Sequence, residues 1–265
     1  MKLDNRNGFS RREFLKKAGL LGLSISGAGA ALEVVFGDDV LAASTAESSA
    51  RIRLAMVVDM SKCARKEDCT DCMTACHRAH NVPSISSKRH EIKWIWKEPF
   101  VNAFPEQRDG RLRDDLVSTD FIVLCNHCDN PPCVRVCPTK ATWKRPDGIV
   151  MMDMHRCIGC RYCMAACPYG SRSFNWMDPR RALDEKTINQ EYPTRTKGVV
   201  EKCDFCAERI DHGRLPVCVE ACKEKALVFG NLSDAKSEVS LQLAGRFAIR
   251  RKPELGTRPE VYYIV

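Results

Sequence analysis

The stretch Cys157-Ile158-Gly159-Cys160-Arg161-Tyr162-Cys163-Met164-Ala165-Ala166-Cys167-Pro168 decides how the rest of the chain is read. Its C-x2-C-x2-C-x3-C-P spacing is a binding run for cubane iron–sulfur clusters. Three thiolates, each separated by two residues, can wrap one face of a cube. The fourth begins a helix and faces away, so it serves the other cluster of a pair. A chain built around such a run moves electrons.

Working outward, the other cysteines repeat the theme. The chain has 16, in four groups of four. The first is Cys63-x5-Cys69-x2-Cys72-x3-Cys76, and the second is Cys125-x2-Cys128-x4-Cys133-x3-Cys137. The run quoted at the start is the third, and the fourth is Cys203-x2-Cys206-x11-Cys218-x3-Cys222. Every group keeps an x3 step before its last member. Sixteen thiolates match four four-coordinate cubanes with none left over. Zinc competes at the fourth group, whose C-x2-C pair would suit a zinc ribbon. The third group is poor zinc geometry and argues against zinc beside it. Disulfides are the competing reading for an exported chain.

The N-terminus bears on that second alternative. Ser10-Arg11-Arg12-Glu13-Phe14-Leu15-Lys16 reads as a twin-arginine export signal, followed by an apolar, Gly/Ala-rich run at 18–32. That run is shorter than the roughly 20 residues a membrane span needs. Val40-Leu41-Ala42 is the expected cleavage site, giving a signal peptide of residues 1–42 whose removal stays open. Export of an already folded protein lets clusters assembled in the cytoplasm survive, so the cysteines stay thiolates. Beyond residue 43 no run of 18 apolar residues occurs, so membrane association is expected through partners only.

The formal net charge is +8, and residues 1–43 hold six Lys/Arg against five Asp/Glu. An oxidised cubane with four thiolates carries about −2, so four of them bring the remainder close to neutral. Basic residues are scattered without an aromatic-interleaved stripe, which excludes a nucleic-acid footprint. No nucleophile–base pair, phosphate loop or dinucleotide fingerprint is found, so a non-catalytic subunit is expected. His77 and His127 sit beside cysteines, but the cysteines fill the ligand slots, so both are expected in packing or hydrogen bonding.

A strand–loop–short-helix unit occurs four times. Strands are expected at 51–59, 120–124, 148–154 and 197–200, each leading into a cysteine group, with return strands at 174–176 and 226–229. The longest insertion, 81–119, contains an alternating run at 90–97 that puts Ile92, Trp94 and Trp96 on one face, for core packing or for docking a partner. Residues 177–196 are polar and read as a surface loop. Residues 233–265 read as a helix and an extended tail.

The order of groups, with His127-Cys128-Asp129-Asn130-Pro131-Pro132-Cys133 and Cys167-Pro168-Tyr169-Gly170, resembles a known superfamily over roughly 51–232. These are the four-cluster electron-transfer subunits of molybdoenzyme, formate-dependent nitrite reductase and polysulfide reductase systems. More narrowly, residues 75–83, 91–100 and 103–107 resemble DsrO, the extracytoplasmic iron–sulfur subunits of DsrMKJOP complexes of dissimilatory sulfur metabolism.

The resemblance implies an α+β fold of two ferredoxin-like [4Fe-4S] dicluster units related by a pseudo-twofold repeat. One would span 51–80 with 197–232, the other 120–176. It implies four [4Fe-4S] clusters with ligands exchanged between groups. Cluster 1 would take Cys63, Cys69, Cys72 and Cys222, and cluster 2 Cys203, Cys206, Cys218 and Cys76. Cluster 3 would take Cys125, Cys128, Cys133 and Cys167, and cluster 4 Cys157, Cys160, Cys163 and Cys137. The x5 gap after Cys63 departs from the family's x2 and puts that ligand in doubt. The implied partners are an NrfD-type, quinone-reactive integral membrane subunit and an exported multihaem cytochrome c, at the periplasmic face of the cytoplasmic membrane. The alternative is the electron-transfer subunit of a molybdopterin reductase, against which the chain's own export signal argues.

Overall fold

Leu-Ala-Met-Val-Val-Asp at 54–59 has no polar residue before its last position, the mark of a strand covered on both faces. In the computed structural model, which describes residues 52–107 and 114–265, it is β1 (Leu54–Asp59). The expected signal peptide, with Arg11 and Arg12, lies outside the described residues. The strands that follow are β2 (Ile95–Pro99), β3 (Asp120–Leu124), β4 (Thr142–Lys144), β5 (Val150–Met152), β6 (Ser173–Phe174), β7 (Val200–Glu201), β8 (Leu227–Asn231), β9 (Ala248–Ile249) and β10 (Val261–Ile264).

Four of them form a mixed sheet in the order β8-β1-β10-β9. β1 runs antiparallel to β8 and parallel to β10. Met56 and Val58 face the main core, while Ala55 and Val57 pack with Val228, Val239 and Ile264. The second face is covered by the helix Glu238–Ala244, which Ser237 caps by accepting the Ser240 N–H at 3.2 Å. The other strands pair as two-stranded ribbons, β2 with β3, β4 with β5, and β6 with β7. No helix of the described residues is long and apolar enough to cross a membrane.

The structure decides between the two readings of the 81–119 insertion and corrects two further expectations. The insertion walls the main core. Phe100 and Phe104 stack at 5.2 Å, and Phe104 meets Phe121 and Tyr263 edge-on. Each such side chain contributes roughly 2–3 kcal/mol of burial. Ile92, Trp94 and Trp96 are all buried, which removes them from partner docking, and the strand starts only at Ile95. The surface loop at 177–196 holds for its exposed first half. Its end is built in, with Tyr192 edge-on to Trp94 and Arg195 buried in a 2.6 Å ion pair with Glu201. The extended tail is a core strand: β10 lies between β1 and β9, where Val261, Tyr263 and Ile264 are buried.

Candidate metal centres

Two local devices recur around the cysteines. The third cysteine of each group is the second residue of a short helix: Cys72 in Asp71–Ala79, Cys133 in Pro132–Arg135, Cys163 in Tyr162–Ala165 and Cys218 in Val217–Ala221. The residue before each second cysteine takes a left-handed backbone: Asp68 (φ 50°), His127 (41°), Gly159 (71°) and Phe205 (59°). That reversal turns the loop back over its own thiols. Glycine is required only at 159, where a Cβ would lie 2.4 Å from the Gly198 carbonyl oxygen.

The fourth cysteine does not begin a helix as expected: Cys137 and Cys167 follow the short helices, Cys222 caps the end of one, and after these three the chain makes the same turn. Cys137, Cys167 and Cys222 accept, at their carbonyls, the N–H three residues on, at 3.3, 3.5 and 3.0 Å. The first group differs, because Cys76 lies within the longer helix Asp71–Ala79.

The helices pack in pairs, Asp71–Ala79 against Val217–Ala221 and Pro132–Arg135 against Tyr162–Ala165. This brings thiols from different groups together. Cys63, Cys69, Cys72 and Cys222 line one cavity. Cys125, Cys128, Cys133 and Cys167 line a second, and Cys137, Cys157, Cys160 and Cys163 a third. Cys76 is enclosed with Cys203, Cys206 and Cys218, all four buried. The x5 gap does not remove Cys63 from its cavity, because residues 64–68 loop outward and Lys66 bridges to Asp71 at 3.0 Å.

Burial first, and then the neighbouring thiols, push Cys63, Cys72, Cys76, Cys128, Cys206 and Cys218 toward the protonated state, whereas backbone N–H groups outweigh burial at Cys137 and draw it down. Cys72 rises to about 12, with Cys63, Cys222 and Cys69 as its sulfur neighbours. Cys76 rises well above its ordinary value, with Cys203, Cys218 and Cys206 around it. Between quartets the thiols that sense one another are Cys72 with Cys218, Cys203 with Cys125, and Cys133 with Cys163. The quartets therefore adjoin in the order one, two, three, four.

Such a set needs a positively charged core to hold it as thiolates. Tetrahedral zinc would draw four sulfurs to about 2.3 Å from one point, hence within about 4 Å of one another. Among the described residues, the one set of three ligand-type atoms within 4.8 Å of each other is His80, Cys206 and Glu208. The spread thiols fit a cubane, whose irons stand between them. Backbone N–H groups reach several sulfurs, from Ala226 to Cys222 at 3.2 Å and from Val217 to Cys206 at 3.4 Å.

Spacing alone missed the residues around the thiols. Arg172 donates to Cys133 Sγ at 3.0 Å. Buried Lys202 donates to the carbonyls of Val150 and Cys203. His80 donates through Nδ1 to the Cys76 carbonyl and reaches Glu208 through Nε2, against the face of Trp94. His127 stacks on Phe205 at 3.6 Å and accepts the Val150 N–H, a packing role as expected. The tail braces the second loop, where Asp129 and Asn130 donate to the Arg258 and Thr257 carbonyls and Tyr169 bonds the Thr257 hydroxyl. A buried charge beside a cysteine run was the one available signal, in Ser171-Arg172 and Glu201-Lys202.

Comparisons with known proteins agree with this chemistry. A family model described as 4Fe-4S dicluster domain matches residues 119–182 and 186–232. The Hdr-like menaquinol oxidoreductase iron-sulfur subunit 1 of Archaeoglobus fulgidus is 43% identical, over 80% of this chain and 82% of its own length. The arsenate respiratory reductase iron-sulfur subunit ArrB of Shewanella sp. strain ANA-3 is 35% identical over 80% of this chain and 96% of its own. Protein NrfC of Escherichia coli K12 is 36% identical over 97% and 95%. The chain belongs to the family of 4Fe-4S iron–sulfur subunits of respiratory oxidoreductases.

Proposed function

We propose that this chain is a non-catalytic relay subunit holding four [4Fe-4S] clusters, each on three cysteines of one group and the last cysteine of another. The observation that carries this reading is the convergence of thiols from two groups on each of four adjoining sites. The paired helices and the repeated loop geometry support two dicluster units related by a pseudo-twofold axis. When bound, the clusters supply single-electron carriers. The chain encloses them, balances their charge and orients their ligands. Quartets one and four end the row of adjoining sites, and exposed Lys223 lines the first while exposed Ile158 and Arg161 line the last, which favours them as the entry and exit ends.

In this reading the subunit works outside the cytoplasmic membrane, exported by Arg11 and Arg12. It docks on an NrfD-type quinone-reactive membrane subunit beside an exported multihaem cytochrome c. The menaquinol oxidoreductase relative supports the quinone link. The motifs at 75–83 and 91–100 favour a DsrO-type complex of sulfur metabolism. A second reading, the electron-transfer subunit of a molybdopterin reductase, is favoured by the likeness to the iron-sulfur subunit of an arsenate respiratory reductase.

Anaerobically purified protein should hold about sixteen irons and sixteen acid-labile sulfides, with essentially no zinc. Stoichiometric zinc would sink the assignment of the quartet that bound it. Cys167→Ser should perturb the same EPR signal as Cys128→Ser and leave the one sensitive to Cys160→Ser. If Cys167 and Cys160 share a signal instead, each group binds its own cluster. Arg11→Lys with Arg12→Lys should leave loaded protein in the cytoplasm; normal export of that variant would refute the proposed address.

A further inference from the structure

Arg172 is a buried cation with no anion of the usual kind beside it. It is 5% exposed. Its Nη2 donates to Cys133 Sγ at 3.0 Å and to Thr142 Oγ1 at 2.8 Å, and its Nη1 to Met152 Sδ at 3.7 Å. Among the described residues no carboxylate forms an ion pair with it, whereas the comparably buried Arg195 has Glu201. A guanidinium buried without an anion is strongly destabilising, so this one requires negative charge from another source.

The neighbours supply it only as thiolates. The groups whose charge reaches Arg172 are Cys133, Cys163 and Cys125. Cys133 belongs to quartet three and Cys163 to quartet four, and both pack in one buried cluster with Val150 and Val200. Met152, the contact of Nη1, lines the quartet-four cavity. Arg172 therefore stands between the two quartets.

We propose that Arg172 is a positioning residue shared by quartets three and four, a fixed cation that raises the reduction potentials of both clusters together. The inference rests on the cluster-binding reading. Reduction adds negative charge to a core and its thiolates. A cation at hydrogen-bond distance stabilises the reduced form more than the oxidised one, which moves the potential upward. The guanidinium keeps its charge across the working pH range, so its influence is constant. One cation beside two clusters moves both potentials in the same direction, more at quartet three, whose Cys133 it hydrogen-bonds. Thr142 fixes the geometry by accepting from Nη2 while donating to the Met151 carbonyl at 2.7 Å.

The test is EPR-monitored redox titration of Arg172→Gln and Arg172→Lys, with iron counted in each sample. Arg172→Gln is expected to move two signals to lower potential, the ones lost in Cys128→Ser and Cys160→Ser, and to leave the other two in place. Arg172→Lys should recover most of that shift. If Arg172→Gln assembles too little iron, Thr142→Val takes its place, and a smaller downward shift of the same two signals is expected. Full iron with unmoved potentials overturns the proposal, as does movement of one signal alone. Wild-type protein lacking iron in these two quartets would instead sink the cluster assignment itself.

Discussion

The two halves of the molecule hold the same number of thiols by different means. Around groups one and four stands a four-stranded sheet with apolar packing on both faces and an aromatic wall of Phe100, Phe104, Phe121 and Tyr263. Around groups two and three, beyond β3, there are only ribbons two or three residue pairs long. The buried cluster there is Cys133, Val150, Cys163 and Val200, so half of it is thiol. Ordering the backbone costs about 1–2 kcal/mol per residue. The non-cysteine apolar side chains buried over 125–176, namely Ala141, Ile149, Val150 and Tyr169, fall well short of offsetting that. Under the proposed function, clusters bound in this half would supply folding energy as well as redox chemistry.

The largest effect should come from stripping iron with an anaerobic chelator. Hydrogen exchange is expected to rise sharply across 125–176, while β1, β8 and β10 keep most of their protection. Uniform loss in both halves would break the contrast.

A smaller, local effect is expected at Gly159. Gly159→Ala puts a Cβ 2.4 Å from the Gly198 oxygen at φ +71°, a strain of about 1–2 kcal/mol from the backbone alone with a backbone clash added. Iron should fall from about sixteen toward twelve. Gly170→Ala shares the positive φ but meets nothing within 4 Å, so it should keep its iron. Equal losses in the two variants would show that strain, and not the contact with Gly198, decides loading.

The smallest effect lies in the better-built half. Asp59 caps the helix Met60–Cys63 that presents Cys63, and it takes Arg246, the Ser61 hydroxyl and the Lys62 N–H. Burial opposes its ionisation, but those partners outweigh it and hold the carboxyl well below its ordinary range. A depressed folded pKa contributes stability that is complete above the unfolded value of about 3.9 and is lost as pH falls toward the folded one. Asp59→Asn should therefore cost about 2 kcal/mol, by the same amount throughout pH 5–8 in denaturant unfolding. A cost that changes within that window would mean the carboxylate titrates there.

Spacing made the grouping of the cysteines legible and implied a short helix in each group, but it put the helix start at the fourth cysteine, whereas each helix starts one residue before the third. The left-handed turn before each second cysteine was legible only at Gly159, because Asp68, His127 and Phe205 do not announce a positive φ. Core packing of Ile92, Trp94 and Trp96 was legible at 90–97, but the strand starts only at Ile95. Ile95 is buried as well, and the Trp94 indole N–H is tied to Glu201 at 2.7 Å. The tail misled because Pro253, Gly256 and Pro259 suggest a solvent path, while Val261–Ile264 pairs with a strand some two hundred residues earlier.

The sequence by itself determined the grouping of the cysteines and β1. These depend on residues a few positions apart, where thiol spacing and apolar runs act directly on local geometry. Tertiary structure alone decided which thiols share a cavity, why Arg172 faces Cys133, and where β10 inserts. Each of these joins segments distant in the chain, such as Cys63 and Cys222. Helix pairing and sheet order bring them together, and no local spacing encodes either.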